Sequence, residues 1–336
     1  MLIDRDTLER IDRKKLRLEE NCEQKSNHCS LVVEGLVDEA LENSYLLEEG
    51  HLLEKQGSHK EKKRARETVR EGKANLKHAW NFAKSNYDGE FTPRFLMEIA
   101  ERIEPNKVRG FRSGSVMMQG TSIVPIRSEK IDRDLGALLE VVNSGELHPV
   151  ENASLLHLHA SRIQPFNDGN KRTSRILANL VLGQEDYAPL LIKESERALY
   201  QTILFGAWKG YKVREGDLGF ELAWACPEDI SDRERVFHEF NAVKVSSALD
   251  TRLRDSQPYP EYQITLKGPD FNHAGYVLGA KRKLHGIFRG GIKTGQVKVV
   301  DRKKGVLVVR GDLCEKSIVS ALDSRAYTGR YDIEKI

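Results

Sequence analysis

The residues whose types and spacing best suit chemistry lie between positions 164 and 175, where the chain reads QPFNDGNKRTSR. Asp168, Gly169 and Asn170 form a predicted turn immediately before a predicted helix. Such a turn can aim backbone N–H groups outward at the positive end of the helix dipole, which favours a bound anion. The turn therefore predicts an anion-binding site.

Charged side chains accompany this turn. Arg172 and Arg175 are three residues apart, so both project from one face of the first helical turns, and Lys171 adds a third cation. Asp168 offers the oxygen ligand that Mg²⁺ requires. These groups together predict a site for Mg²⁺-bound polyphosphate. The alternative interpretation is a polar corner between two helices, in which Asp168 only caps a helix dipole.

Two predicted helices must position the turn. The first ends at about Ile163, because the Gln164-Pro165 pair disfavours helical backbone. The second starts near Asn170, turns its apolar residues inward and ends at Gly183. Both helices belong to a predicted helical core at residues 91–228.

The remaining pattern divides the chain into further regions. Residues 1–90 are charged and helical and include a helix from about 28 to 48. Within the core, Thr92 and Pro93 start a helix. Glycines flank a short apolar run at 111–126, which predicts a β-hairpin. Residues 229–260 are predicted to form a linker helix.

Residues 261–336 change to a strand-rich pattern. Short β-rich runs occur at Glu261 to Leu266 and at Gly275 to Leu278, and residues 296–310 predict a hairpin around a basic turn. The predicted fold class is therefore mainly α, a helical bundle with a β-hairpin and a small C-terminal β-rich domain.

Composition limits the class of protein. The 336 residues are 39% hydrophobic and 31% charged, with a formal net charge of +3. These values exclude a membrane bundle and a chain that is disordered over most of its length. The charged start, Asp4 to Asp6, predicts no export signal. Four cysteines without a Cys-x-x-Cys pair are typical of a reduced, cytoplasmic protein, and no membrane partner is expected.

The segment at 164–175 resembles the signature of the Fic/Doc (Fido) family, His-Pro-Phe-x-Asp/Glu-Gly-Asn-Gly-Arg-x-x-Arg. The matching residues are Pro165, Phe166, Asp168, Gly169, Asn170, Arg172 and Arg175. The resemblance covers roughly residues 25–228 and implies the Fic helical fold. It also implies transfer of AMP from ATP to a Ser, Thr or Tyr hydroxyl of a target protein.

The resemblance also implies roles for single residues. Asp168 would coordinate Mg²⁺, the amides near Gly169 and Asn170 would hold phosphate, and Phe166 would anchor the loop. Arg172 and Arg175 would clamp the triphosphate, so ATP and Mg²⁺ are the implied cofactors. The hairpin at 111–126 resembles the family's flap, which would pair with an extended target segment through its main chain.

Two departures from the signature bear on catalysis. Gln164 stands where the family has the histidine that deprotonates the acceptor hydroxyl, and glutamine is not a general base near neutral pH. Neither His157 nor His159 is placed to replace it, and both are predicted to be packed or capping residues. Lys171 stands where most adenylylating members have glycine. The Doc branch, which is associated with phosphate transfer, resembles this sequence in its Asn-Lys-Arg. Lys171 therefore leaves open whether AMP or phosphate is transferred.

Residues 30–35 resemble the family's inhibitory helix motif, [Ser/Thr]-x-x-x-Glu-[Gly/Asn], through Ser30, Glu34 and Gly35. In the family this glutamate pairs with the second motif arginine, which is Arg175 here. The resemblance predicts a Glu34–Arg175 ion pair that restrains the resting protein. The alternative is an exposed helix glutamate without a partner.

Charge is unevenly distributed along the chain. Residues 261–336 contain fifteen Lys or Arg against eight Asp or Glu, a net charge of +7, so residues 1–260 carry −4. The run at 281–304 holds nine of the basic residues and one acid. It could bind nucleic acid or an acidic partner, or it could only keep the module soluble.

Three functions remain open at this stage. The first is a Fic-like transferase under restraint by Glu34. The second is a degenerate Fic-fold binding protein that lacks turnover because of Gln164. The third is a nucleic-acid-associated regulator that uses the C-terminal module.

Overall fold

The computed structural model describes most of the chain, and its ranges are 2–23, 26–54, 58–116, 124–225, 229–256, 261–267, 274–286, 295–301, 306–311, 315–322 and 331–335. The side chains of residues 22–34 lie outside this description. The chain divides into two compact units, Met1–Ser256 and Gln257–Ile336.

The first unit is helical. Its helices are α1 (Arg5–Glu23), α2 (Ser26–Glu49), α3 (His51–Glu54), α4 (His59–Asn86), α5 (Pro93–Ile103), α6 (Ile131–Asn143), α7 (Pro149–Ile163), α8 (Asn170–Gln184), α9 (Arg197–Leu218), α10 (Phe220–Ala225) and α11 (Asp232–Ser256). A mainly α fold is therefore confirmed. No helix among the described residues is both long and apolar enough to cross a membrane.

Helices α7 and α8 form the centre of this unit. They pack against each other, and almost every residue of both is buried. A helix that is buried on all sides has no solvent-facing stripe, which explains the weak amphipathic pattern of both segments. The loop between these two helices is held by the best-packed part of the molecule.

The surrounding helices begin and end where their sequences indicate. Thr92 caps α5 by accepting the Phe95 N–H at 3.1 Å, with Pro93 in the first helical position. Ser58 and Glu61 form a capping box at the start of α4. The predicted end of the first motif helix at about Ile163 and the predicted start of the second near Asn170 also agree with the structure. Helix α11, in the segment predicted as a linker, packs on α1, α7 and α9 within the first unit.

The predicted hairpin at 111–126 is not found in its described parts. Residues 111–116 and 124–126 contain no strand, and residues 117–123 lie outside the described residues. The carbonyl groups of Gly114 and Ile126 accept hydrogen bonds from the Arg112 guanidinium at 2.9 and 2.6 Å. These carbonyls are therefore occupied by a side chain rather than by a strand partner.

The second unit is a small sheet with two helices. Its strands are β1 (Glu261–Leu266), β2 (Gly295–Asp301), β3 (Val306–Gly311) and β4 (Tyr331–Lys335), in the order β2-β3-β1-β4 with antiparallel pairs. The helices are α12 (Ala274–Gly286) and α13 (Glu315–Leu322). The β1 strand and the 296–310 hairpin are thus confirmed.

The strand predicted at Gly275 to Leu278 is wrong, because this segment belongs to α12. Val277, Ala280 and Leu284 are fully buried, and their spacing of three and four residues is helical. The four residues from Gly275 to Leu278 are too few to distinguish the spacing of a helix from that of a strand.

Candidate functional site

The loop between α7 and α8 starts with a backbone conformation that ends α7. Gln164 has φ 52° and ψ 58°, in the left-handed region, and the following Pro165 cannot continue a helix. Its side chain is buried and fixed at both ends. Nε2 donates to the Ser161 carbonyl at 2.7 Å, and Oε1 accepts from Asn170 Nδ2 at 3.2 Å. Gln164 therefore sits in one defined orientation.

Asn170 braces the loop from its other end. Its Oδ1 accepts the Phe166 N–H at 2.9 Å, while its Nδ2 donates to the Phe166 carbonyl at 2.8 Å. Phe166 is buried, with its ring 5.7 Å from that of Phe111. Gly169 has φ 77°, and a Cβ there would lie 3.3 Å from Cγ of Glu104. Glycine is required at this position because of both the conformation and the space.

Asp168 lies at the mouth of the loop between two cations. Lys107 Nζ donates to Oδ2 at 2.6 Å, and Arg172 donates to Oδ1 at 3.0 Å. Burial alone would raise the pKa of Asp168, but the Lys107 hydrogen bond and the Arg172 charge outweigh it and lower the pKa. Asp168 is therefore an ionised oxygen donor, which is the chemistry that Mg²⁺ prefers.

Arg172 is buried and contacts two carboxylates. It donates to Glu104 Oε1 at 2.6 Å as well as to Asp168. Burial opposes its charge, but these acids raise the pKa of Arg172 above its usual value. The positive charge of Arg172, which was predicted to bind phosphate, is thus neutralised by carboxylates of the protein itself. Lys107 and Glu104 were missed by sequence reasoning, because nothing in the motif points to the end of α5.

Arg175 is directed toward α2. Its Nε donates to Ser44 Oγ at 2.8 Å, and its terminal nitrogens donate to the Ser44 carbonyl at 2.9 Å and to Glu48 Oε1 at 3.1 Å. The Tyr200 hydroxyl accepts a further bond at 3.0 Å. Every nitrogen of this guanidinium therefore has a partner in the resting protein.

Glu48 also binds the residue that departs from the family signature. Lys171 Nζ lies 2.5 Å from Glu48 Oε2, while Arg175 takes Oε1. Burial would raise the pKa of Glu48, but Lys171 and Arg175 together lower it. One carboxylate, 14% exposed, thus binds two of the three motif cations. We call Glu48 with Lys171 and Arg175 the α2 latch.

The predicted Glu34–Arg175 pair is not what the structure places at Arg175. The Glu34 side chain, like that of Ser30, lies outside the described residues, and Gly35 is exposed. Glu34 precedes Glu48 by fourteen residues on α2, which corresponds to roughly 21 Å along a helix axis. Ser44 and Glu48 repeat the Ser-x-x-x-Glu spacing, with Glu49 in place of the final Gly or Asn. This second occurrence was the signal that could have identified the partner of Arg175.

A cavity of about 680 Å³ brings together most of the predicted site residues of the loop, although Phe166 and Arg175 do not line it. Its size lies within the range of roughly 300–1,000 Å³ that is usual for small-molecule sites. Its lining includes Glu48, Lys107, Gln164, Asp168, Gly169, Asn170, Lys171 and Arg172. We call it the motif cavity. Helix α8 starts in its wall, and the first N–H groups of a helix lack carbonyl partners within that helix.

The two histidines of α7 do not line the motif cavity. His157 Nε2 lies 2.9 Å from the Tyr200 hydroxyl, and His159 Nδ1 accepts from Arg162 at 3.1 Å. Burial, followed by neighbouring arginine charges, lowers the pKa of both well below the usual value. They are neutral, packed residues, so neither supplies the base that Gln164 lacks.

The basic run at 281–304 is only partly described, at 281–286 and 295–301, so its proposed binding face stays a prediction. The known proteins that this chain is similar to are Fic proteins, and they lend no support to a nucleic-acid partner.

Residues 90–182 match the Fic/DOC family. Protein adenylyltransferase Fic from Drosophila persimilis is 30% identical over 205 residues, which is 58% of this chain and 35% of that protein. The protein of the same name from Nematostella vectensis is 31% identical over 116 residues, 32% of this chain and 27% of that protein. The chain thus spans about a third of the length of the curated relatives it matches.

Two solved structures share the fold. A Fic domain containing signaling protein from Bacteroides thetaiotaomicron has a TM-score of 0.56 at 21% identity, over 74% of this chain and 97% of that chain. Fic-1 from C. elegans has a TM-score of 0.52 at 17% identity, over 75% and 72% of the two chains. These similarities, together with the loop signature and the helical core, identify residues 90–182 as a match to the Fic/DOC family.

Proposed function

We propose that this protein binds Mg²⁺-ATP in the motif cavity and transfers AMP to a hydroxyl group of a target protein, and that the α2 latch restrains it. The observation that carries the proposal is the convergence of Asp168, Arg172 and the start of α8 on one cavity of about 680 Å³. The adenylyltransferase names of the relatives support AMP as the transferred group.

In this reaction the acceptor hydroxyl oxygen bonds to the α-phosphorus, and the bond from that phosphorus to the bridging oxygen breaks. Pyrophosphate leaves, and the hydroxyl proton passes to solvent, because Gln164 is not a base. Asp168 would hold Mg²⁺, which neutralises phosphate charge when bound. Arg172 and the α8 amides would bind phosphate oxygens, and the Gln164 amide would orient the acceptor by a hydrogen bond.

The α2 latch opposes this reaction through charge. Glu48 holds the positive charges of Lys171 and Arg175, which a triphosphate would otherwise attract. Its own carboxylate lines the motif cavity and repels polyphosphate. We therefore assign to Glu48 the restraint that the sequence pattern predicted for Glu34.

The test is label transfer from ATP labelled at the α- or the γ-phosphate, with Glu48→Gly as the released form and Glu39→Gly as its matched control. Glu39 is an exposed residue of α2 outside the cavity lining, and the structure gives it no ion pair with Lys171 or Arg175. Transfer of the α-label that rises in Glu48→Gly but not in Glu39→Gly is the expected result. Transfer of the γ-label alone would instead establish phosphate transfer.

A second function is favoured by Gln164 itself. A Fic fold that holds nucleotide without turnover needs the phosphate ligands but no base, and this chain has that combination. Nucleotide binding by Glu48→Gly without transfer of either label would establish this alternative. Loss of binding in Arg172→Ala would then assign the bound nucleotide to the motif cavity.

A further inference from the structure

A second cavity lies beside the segment at 124–126, on the other side of the end of α7. Its volume is about 270 Å³, below the usual range for small-molecule sites and suited to one or two side chains of a peptide. It is lined by Val124, Pro125, Ile126, Arg127, Lys130, Arg133, Arg162, Trp208, Tyr211, Lys212 and Glu215. We call it the flap-side cavity.

The charged side chains that line the flap-side cavity are mostly cations, and some of these cations have no partner among the described residues. Five of the lining residues are cations and one is an acid. Arg133 and Arg162 bind the buried Asp134 at 2.8 and 3.2 Å, and Arg133 lies 3.9 Å from Glu215. Among the described residues, no ion pair or side-chain hydrogen bond is found for the exposed lining cations, which are Arg127, Lys130 and Lys212.

An apolar rim completes the cavity. Val124 on this rim is 75% exposed. The cavity therefore combines exposed cations, for which the described residues provide no ion-pair partner, with an apolar rim, which complements a carboxylate next to an apolar side chain.

The flap-side cavity is connected to the motif cavity by short structural links. Arg162 lines the first and Gln164 lines the second. These residues are two apart, so their backbones are no more than about 7 Å from each other. Arg112 also donates to the Gln164 carbonyl at 2.6 Å and to that of Ile126, in the rim of the flap-side cavity, at 2.6 Å. A peptide bound in one cavity is thus held close to the chemistry of the other.

We propose that the flap-side cavity binds an acidic residue, with an apolar neighbour, of the polypeptide that is to be modified. The inference rests on the proposed function, because it assumes a protein acceptor. An extended chain advances about 3.3 Å per residue, so the acidic residue is expected about two to four residues from the acceptor hydroxyl. The cavity would thereby select target segments by charge.

The experiment uses the full chain and a fluorescein-labelled peptide of about twelve residues with one central threonine. A Glu-Glu-Leu triplet is placed three residues from the threonine on both sides, and the comparison peptide has Gln-Gln-Leu. Fluorescence anisotropy measures both affinities at low and high salt. The acidic peptide is expected to bind about tenfold more tightly, since each partly exposed ion pair contributes about two- to fivefold, and to weaken as salt rises.

The variant that tests the site is Lys130→Glu/Lys212→Glu, and its matched control is Lys209→Glu, an exposed lysine of α9 outside the lining. The double variant is expected to lose the preference for the acidic peptide, and the control to keep it. Equal affinity of the wild type for both peptides, or equal effects of Lys209→Glu and the double variant, would overturn the inference.

Binding of a fluorescent ATP analogue to Glu48→Gly is measured on the same samples. If the protein binds nucleotide but does not discriminate between the peptides, the result contradicts peptide binding at the flap-side cavity and leaves the proposed function intact. Peptide discrimination without nucleotide binding supports the docking surface and counts against the proposed function.

Discussion

The two cavities on either side of the end of α7 differ in how their cations are used. At the motif cavity, the lining residues Lys171 and Arg172, and Arg175 behind them, all contact carboxylates, which come from α2, from the end of α5 and from the loop itself. In the flap-side cavity, three cations are exposed and have no ion-pair partner within the described part of the chain. The cations of the proposed polyphosphate site are thus neutralised internally, whereas the neighbouring positive surface is exposed.

This difference indicates where each binding event must gain its free energy. A polyphosphate must compete with Glu48, Glu104 and Asp168 before it reaches the motif cations. An acidic peptide at the flap-side cavity displaces only water and salt ions from the exposed cations. Nucleotide binding is thus open to control by α2, whereas docking at the flap-side cavity depends on ionic strength.

The largest expected effect concerns Gln164, which cannot act as a general base. In the Glu48→Gly background, Gln164→His should raise the rate of AMP transfer by about 10²–10⁴-fold, the usual contribution of general base catalysis. The measurement is the initial rate of α-label transfer at saturating ATP. Gln164→Ala, which removes the amide without adding a base, is the control. An unchanged rate in Gln164→His would mean that proton removal does not limit the reaction.

The next effect concerns Arg112, which connects the two cavities. This buried side chain donates to the carbonyls of Ile163 and Gln164 as well as to those of Gly114 and Ile126. Replacing it in Arg112→Met removes four hydrogen bonds to carbonyl groups. The free energy of unfolding should fall by about 2–4 kcal/mol.

Urea unfolding followed by tryptophan fluorescence measures this change, because Trp80, Trp208 and Trp224 all lie in the first unit. Arg109→Met, at an exposed position three residues earlier, should leave the midpoint nearly unchanged. Equal midpoints for the two variants would show that Arg112 does not hold the two cavities together.

A smaller effect concerns the α2 latch. Its coupling to nucleotide should make ATP bind about 5–150-fold more tightly to Glu48→Gln than to the wild type, the usual range for a competing internal contact. Isothermal titration calorimetry gives both affinities. Lys130→Glu/Lys212→Glu serves as the comparison from the other cavity and should bind ATP like the wild type.

The same contact predicts a pH dependence of stability. Because the pKa of Glu48 is lowered in the folded protein, its contribution is present above the ordinary glutamate pKa of about 4.3 and is lost as the pH falls through the lowered value. Urea midpoints of the wild type should therefore fall more steeply between about pH 5 and pH 3 than those of Glu48→Gln. Parallel curves would mean that the α2 latch does not stabilise the fold.

The smallest effect is expected at the exposed cations of the flap-side cavity. Lys130→Ala and Lys212→Ala remove exposed side chains that form no ion pair with any described residue, so the free energy of unfolding should stay within about 0.5 kcal/mol of the wild type. Thermal unfolding followed by circular dichroism measures it. A larger loss would show that these lysines have structural partners, which would weaken their assignment as docking residues.

Local sequence was sufficient where the deciding interactions are local. The start of α5 depends on Thr92 and Pro93, and the β2–β3 hairpin depends on alternating apolar residues around a short turn. The loop at 164–175 was likewise recognisable, because its conformation follows from Pro165, Gly169 and the Asn170 brace. Each of these features depends on residues only a few positions apart, so their types and spacing carry the information.

Long-range pairing was not accessible in the same way. The partner of Arg175 could be Glu34 or Glu48 by motif spacing, and only the packing of α2 on α8 selects Glu48. Lys107 and Glu104 reach the loop because α5 packs on α8. The conformation of 111–116 and 124–126 depends on Arg112, whose guanidinium occupies the carbonyls that a hairpin would pair.

The amino-acid sequence therefore determined the resemblance to the Fic/Doc signature, the cation-rich loop and the absence of a base at Gln164, because these follow from residue types at fixed positions. The three-dimensional arrangement established which carboxylates neutralise the loop and which cations beside it have no partner among the described residues. The pairs of Arg172 with Glu104 and of Arg175 with Glu48 join side chains that are 68 and 127 residues apart in the chain, and no local pattern specifies those distances.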